Sequence, residues 1–180
     1  MEKKEKIIIT GKSGSGKDFL LRKLTEKGLK VSTKVTTRPK RKNETQFIEY
    51  NFITEDKFNL LLNEDELLCH QRFEVTPENK NPEIWFYGLT KEEFDKSQAF
   101  IMTPGEINQI PNELRKELFI VYLDIDRNIR ESRILSREDK NDSVKRRLDA
   151  DEIDFKGFDD YDLKITDPEF GVDMVWDLMD

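Results

Sequence analysis

Apolar residues recur along the chain in two rhythms: continuous β-branched runs, and stripes spaced three and four apart. The first run, Lys6-Ile7-Ile8-Ile9-Thr10, reads as a buried strand. A glycine-rich turn ends it, and Phe19, Leu20, Leu21 and Leu24 then mark one face of a helix over 18–27, with Gly28 just past its end. Extended segments are expected at 29–34 and 47–53. Thr54 stands where it can N-cap a helix to about residue 62, with Phe58, Leu61 and Leu62 on one side. Residues 67–75 read as extended and 76–82 as loop, and Thr90-Lys91-Glu92-Glu93 reads as a capping box opening the next helix. Buried strands are expected at 99–102, 118–123 and 163–166, the first broken by Thr103-Pro104-Gly105. Helices are expected at 125–135, 142–150 and 172–178.

Strands alternating with helices predict an α/β fold, a parallel sheet flanked by helices. Residues 36–88 have a different, more β-rich rhythm and read as an inserted subdomain. The 180 residues suit one domain. Its core covers about 1–34 and 90–180, and the insert about 35–89.

Composition narrows the class. Twelve Phe are enough to fill a core even though 38% of residues are charged. The single cysteine, Cys69, excludes an internal disulfide and points to a reducing compartment. No apolar run approaches a membrane span and the N-terminus lacks a signal-peptide core, so the expectation is a cytoplasmic protein with no membrane partner. A net charge of −7 argues against a nucleic-acid polymer as partner. The cations are concentrated in two islands: residues 34–42, with Lys34, Arg38, Lys40, Arg41 and Lys42 and no acid, and the arginine-rich 130–147. Islands of this size in an acidic chain suit a small phosphorylated ligand, or else solvated helix faces.

Chemistry enters at Gly11-Lys12-Ser13-Gly14-Ser15-Gly16-Lys17-Asp18, a phosphate-loop pattern between a strand and a helix, filled except at its last position. Glycines let the backbone turn tightly and aim successive N–H groups at an anion. The helix N-terminus adds partial positive charge, and Lys17 adds a full one. Gly11, Ser13, Gly14, Ser15, Gly16, Lys17 and Asp18 are therefore the candidate phosphate-binding residues.

With this loop, Thr36-Thr37-Arg38-x-x-Arg41, Glu49-Tyr50-Asn51-Phe52, Tyr87-Gly88 and the later arginines in this order, the chain resembles the guanylate kinase family over roughly residues 7–167. The resemblance implies a P-loop kinase whose parallel core binds ATP with Mg²⁺. It also implies a β-rich insert that binds the acceptor nucleotide and a lid, about 133–148, that closes over both. Arg38, Arg41 and Tyr50 match the positions that hold the acceptor phosphate, and Tyr87 matches another acceptor contact. Arg133 and Arg137 match the start of the lid and Arg147 the arginine that returns after it. The implied catalytic set is thus Lys17, Arg38, Arg133, Arg137 and Arg147. Physics is consistent with these roles: phosphoryl transfer needs positioning and charge neutralisation more than covalent chemistry. Arg38 and Arg41 sit in a proline-stiffened loop suited to gripping a phosphate. Arg133 and Arg137, four apart, share a helix face where pairing with Glu131 or Asp139 is the alternative use.

The departures are equally informative. Asp18 replaces the hydroxyl that helps hold Mg²⁺, and becomes a candidate metal ligand itself. Cys69 sits about where the family reads guanine with a glutamate, and Leu89 replaces a small hydroxyl residue. His70 reads as a polar wall residue, and Thr103, His70 and the 76–83 loop are candidate new contacts. The expected acceptor is a nucleoside or deoxynucleoside monophosphate whose base is not guanine. A sugar phosphate is the alternative, since the loop and Thr37-Arg38-Pro39 also look like the ribose 1,5-bisphosphate kinases. A catalytically inactive binding module is a third reading.

Overall fold

The computed structural model describes residues 4–41, 44–46, 50–75, 82–136 and 144–179. Two four-stranded sheets organise them. The first is wholly parallel. It consists of β1 (Lys6–Gly11), β6 (Ala99–Ile101), β7 (Leu118–Leu123) and β8 (Leu163–Ile165), in the order β6-β1-β7-β8. Its central strands are apolar on both faces, as expected of a sheet covered on both sides. Helix α1 (Lys17–Glu26) lays Leu20 and Leu24 on one face, against Ile7, Ile9, Val121 and Phe170. Helix α8 (Asp173–Met179) contributes Val175 to the same layer.

The second sheet is mixed. It contains β2 (Val35–Thr36), β3 (Asn51–Phe52), β4 (Leu67–Val75) and β5 (Glu83–Thr90), in the order β3-β2-β5-β4. Helix α2 (Glu55–Asn63), capped by the Thr54 hydroxyl, packs Phe58 and Leu61 against Val35, Leu67 and Phe86 on one face. Its opposite face carries Thr36, Tyr87, Gln71 and Phe73 and looks into the cleft between the sheets; register pairs Thr36 with Tyr87 and Tyr87 with Gln71. Helix α3 (Lys91–Lys96) and the short α4 (Pro104–Ile107) and α5 (Asn112–Arg115) join the sheets. Between them lies a core layer of Cys69, Leu89, Phe94, Phe100 and Met102. Helices α6 (Arg127–Leu135) and α7 (Val144–Asp154) complete the parallel unit.

Several local expectations change. Residues 29–34 form no strand; Val31 makes an isolated bridge to Ala99, with Ser32 N–H donating to Ala99. Leu29 and Val31 keep the alternation with Lys30 and Ser32, but pairing with β6 stops at this one bridge because the chain enters the second sheet at Val35. Of 47–53 only Asn51–Phe52 is strand, and 47–49 lie outside the described residues. Thr103-Pro104-Gly105 starts a helix: Thr103 and Glu106 form a full capping box with Pro104 in the first turn. At Thr90 only half a box forms, because Glu93 takes its bonds from Thr33 and Ser97 instead. Helix α7 runs four residues beyond the expected end at Ala150.

Candidate functional site

The strand-to-helix turn after β1 wraps into a cradle. Gly14 and Gly16 adopt left-handed φ of 78° and 105°, which side chains resist. A Cβ on Gly14 would lie 2.6 Å from the Arg130 carbonyl, so nothing larger fits. No side chain caps α1, and its N-terminus opens into the loop. Lys17 folds back, donating to the carbonyls of Gly11 (2.6 Å) and Lys12 (3.1 Å). Burial pulls its ammonium from the usual lysine range down to about 8; Asp18 and Asp151 work against this, and Arg147 and Arg130 add to it. The buried Ser15 hydroxyl has no hydrogen-bond partner among the described residues. Left-handed glycines, an uncapped helix start, a lysine and an orphaned hydroxyl are what a polyphosphate requires, so the residues present fit ATP.

Two helices brace the loop from outside. Arg130, 1% exposed, donates to the carbonyls of Ile125 and Ser13 and to Glu152 at 2.8 Å. Asp151 accepts from the Ser13 N–H at 2.8 Å, and Lys12 pairs with Glu152. Arg133 donates to the Gly14 and Ser15 carbonyls and, at 2.8 Å, to Pro168. Its described partners are therefore backbone carbonyls of the loop and of the turn after β8, and Glu131 is not among them. Arg147 lies near enough to Lys17 to depress its basicity. Arg137 lies outside the described residues. Asp18, exposed on the first turn of α1, stands at the mouth of the loop. No group of three or more metal-ligating side chains occurs among the described residues. Mg²⁺ commonly takes one or two carboxylates plus phosphate oxygens, which Asp18 beside a bound triphosphate would satisfy.

Across the cleft, the second sheet gathers Arg38, Arg41, Tyr50 and Tyr87. Arg38 is buried, stacks over the rings of Tyr50 and Phe52, and forks onto Glu44. Glu44 also accepts from the Arg41 N–H at 2.7 Å. Tyr50 and Tyr87 meet edge to face at 5.6 Å. Burial raises the hydroxyl pKa of both; Arg38 opposes this in both, and Asp18 adds to it at Tyr50. The charge on the loop thus acts directly on the facing sheet.

Three candidate contacts sit elsewhere than expected. Cys69 is 1% exposed inside the apolar layer, where burial pushes its thiol up to about 12. His70 points to the opposite face of the sheet, its ring 6.4 Å from Phe58. The Thr103 hydroxyl is engaged with Glu106. Of the 76–83 loop, 76–81 lie outside the described residues. In their place the cleft presents Lys34, named above only as part of a basic island, then Glu106 and Gln71, for which the sequence offered no role. The Thr103-x-x-Glu106 spacing was the visible signal for the second of these.

The guanylate kinase family model matches residues 3–77. A guanylate kinase of Nostoc sp. is 29% identical over 173 residues, covering 91% of this chain and 82% of the relative. One of Agrobacterium fabrum is 28% identical, covering 91% and 74%. The chain is similar to guanylate kinases over most of its length. The crystal structure of guanylate kinase from Anaplasma phagocytophilum shares the fold with a TM-score of 0.65 at 17% identity, covering 99% of this chain and 86% of that one. Among the described residues, no helix is long and apolar enough to cross a membrane.

Proposed function

We propose that the protein transfers the γ-phosphoryl group of ATP to the phosphate of a nucleoside monophosphate whose base is not guanine. The observation that carries this reading is the confrontation across one cleft of a polyphosphate cradle, centred on Lys17, with an arginine–tyrosine cluster, Arg38, Arg41, Tyr50 and Tyr87. One side suits the donor and the other the acceptor phosphate. ATP would supply the phosphoryl group, with Mg²⁺ neutralising its charge. The loop N–H groups and Lys17 hold the donor phosphates. Arg38 and Arg41 orient the acceptor phosphate for in-line attack, and Tyr50 and Tyr87 line it. Arg147, with Arg133 and Arg137, adds positive charge where charge shifts onto the leaving oxygen. Residues about 35–89 act as the acceptor-binding insert and about 133–148 as the lid.

The base preference rests on Cys69 and Leu89, the two positions that the resemblance sets against guanine. Guanine offers an N1–H and an amine to acceptors, yet Cys69 and Leu89 are buried in the apolar layer and Leu89 carries no acceptor. Initial rates with ATP and matched GMP, dGMP, dTMP, dUMP, CMP, AMP and ribose 1,5-bisphosphate test the reading. Turnover of a monophosphate other than GMP or dGMP is the expected result. Turnover of the sugar bisphosphate alone would shift the function to a sugar-phosphate kinase. No turnover and no nucleotide binding would leave only a binding module.

A further inference from the structure

Lys34 and Glu106 form an ion pair at 2.5 Å, with side chains 14% and 2% exposed, at the floor of the cleft. Glu106 is fully engaged: one oxygen takes Lys34, the other the N–H and hydroxyl of Thr103. Lys34 is not. Its ammonium has three protons, and among the described residues Glu106 is its one hydrogen-bond partner. Alternation along β2 puts Lys34 on the same face as Thr36, the cleft face, while Val35 joins the α2 layer.

Gln71 reaches the same turn of chain from the other side. A Cβ on Gly105 would lie 2.9 Å from its Nε2, so glycine there is what leaves room for the carboxamide. The placement is fixed by Gln109, whose side chain accepts from the His70 N–H and donates to the carbonyls of His70 and Gly105. That bond set locks the edge of β4 to α4. Among the described residues the Gln71 carboxamide has no hydrogen-bond partner of its own. Strands β2 and β4 flank β5, and register sets Gln71 level with Thr36 and Lys34 one pleat back, level with Cys69; the Lys34 ammonium on Glu106 and the Gln71 carboxamide at Gly105 converge on adjacent residues of one turn, where a single nucleobase edge can meet both.

We infer that Lys34 and Gln71 together read the imide edge of a uracil or thymine base, making a uracil or thymine nucleotide the preferred acceptor. The inference rests on the acceptor site of the proposed function. Lys34 offers a donor, and the carboxamide offers an acceptor and a second donor. Donor–acceptor–donor is the complement of carbonyl, N3–H, carbonyl. Guanine presents one carbonyl followed by two donors, leaving its amine facing the Gln71 NH₂. Cytosine and adenine present an amine to the lysine. Each mismatch strands a buried polar group.

Calorimetric binding of dTMP, dUMP, GMP, CMP and N3-methyl-dTMP, paired with turnover, tests this on the wild-type chain and Gln71→Glu. The wild type should prefer dTMP or dUMP over GMP and CMP by at least tenfold, and N3-methylation should remove most of that affinity. Gln71→Glu turns the pattern into donor–acceptor–acceptor and should reverse the preference toward GMP. The Gln71 side chain has no hydrogen-bond partner among the described residues, so this variant should melt as the wild type does. Lys34→Met unpairs Glu106 and is read beside Lys34→Met/Glu106→Leu, which removes both charges; both should lose the dTMP preference. A wild type that favours GMP or CMP, or binds N3-methyl-dTMP as well as dTMP, overturns the inference and leaves the kinase reading standing. Binding and turnover of none of these monophosphates overturns both.

Discussion

Arg38 and Glu44 close on each other as a two-pronged fork, Nη2 to Oε1 at 2.7 Å and Nη1 to Oε2 at 3.0 Å, beneath the rings of Tyr50 and Phe52. The pair fixes the guanidinium at the side proposed to take the acceptor phosphate. Glu44→Ala would strand a buried cation and should cost about 3 kcal/mol in urea unfolding. It should also raise the acceptor KM. Burial alone would push the Glu44 carboxyl up, but the Arg38 fork and the Arg41 N–H outweigh it and hold it below the usual range. The folded chain therefore releases this proton more readily than the unfolded one. Its stabilisation is present above the ordinary glutamate pKa and disappears as pH falls through the depressed value. Acid unfolding monitored by circular dichroism should begin at lower pH in Glu44→Gln than in an equally destabilised core variant, which still loses the Glu44 contribution as pH falls.

Lys17 works in the opposite sense. Half-buried against loop carbonyls, it binds its proton less tightly folded than unfolded, so this group's contribution to stability rises with pH from about 8 toward the unfolded lysine value. Lys17→Met should accordingly raise the melting temperature at pH 7 while cutting turnover roughly a hundredfold or more. A bound phosphate would restore the proton. ATP binding above pH 8 should therefore take up protons, measurable as a calorimetric enthalpy that depends on buffer ionisation. Buffer-independent enthalpy at pH 8.5, or Lys17→Ala with unchanged turnover, would remove Lys17 from the site.

Much of this was legible along the chain. The Ile7–Ile9 run, the glycine turn and the Leu20/Leu24 stripe are local signals, and the parallel sheet follows from their alternation. Long-range ion pairing was not legible. Nothing near Lys34 announces Glu106, 72 positions away. Arg130 looks like a solvated residue on an amphipathic helix. It is buried because the carbonyls of Ile125 and Ser13 and the carboxylate of Glu152 converge on it. Cys69 and Gln71 differ by one pleat, and only register with Leu89 and Tyr87 shows that the first joins the apolar layer while the second meets the Gly105 turn.

In the proposed function Arg41 serves acceptor binding and not donor binding. Its backbone N–H is tied to Glu44, the carboxylate that also holds Arg38 over Tyr50. Arg41→Ala should raise the acceptor KM strongly and lower kcat while leaving ATP affinity nearly intact. An equal loss of ATP affinity would place this arginine on the donor side.

Asp18 carries the remaining question of charge. It is exposed on the first turn of α1, where an acid also favours the helix dipole, and it faces Tyr50 across the cleft closely enough to raise that hydroxyl's pKa. A carboxylate beside triphosphate oxygens is repulsive unless a cation lies between them. If Asp18 holds Mg²⁺, directly or through water, Asp18→Asn should require more Mg²⁺ for half-maximal rate and turn over more slowly. Without metal the same variant should bind ATP more tightly, because the repulsion is gone. That second readout, taken by calorimetry in EDTA, is independent of catalysis. A variant with unchanged metal requirement and unchanged metal-free ATP affinity would reduce Asp18 to a helix N-terminal acid, whose loss costs only about 0.3–1 kcal/mol of stability.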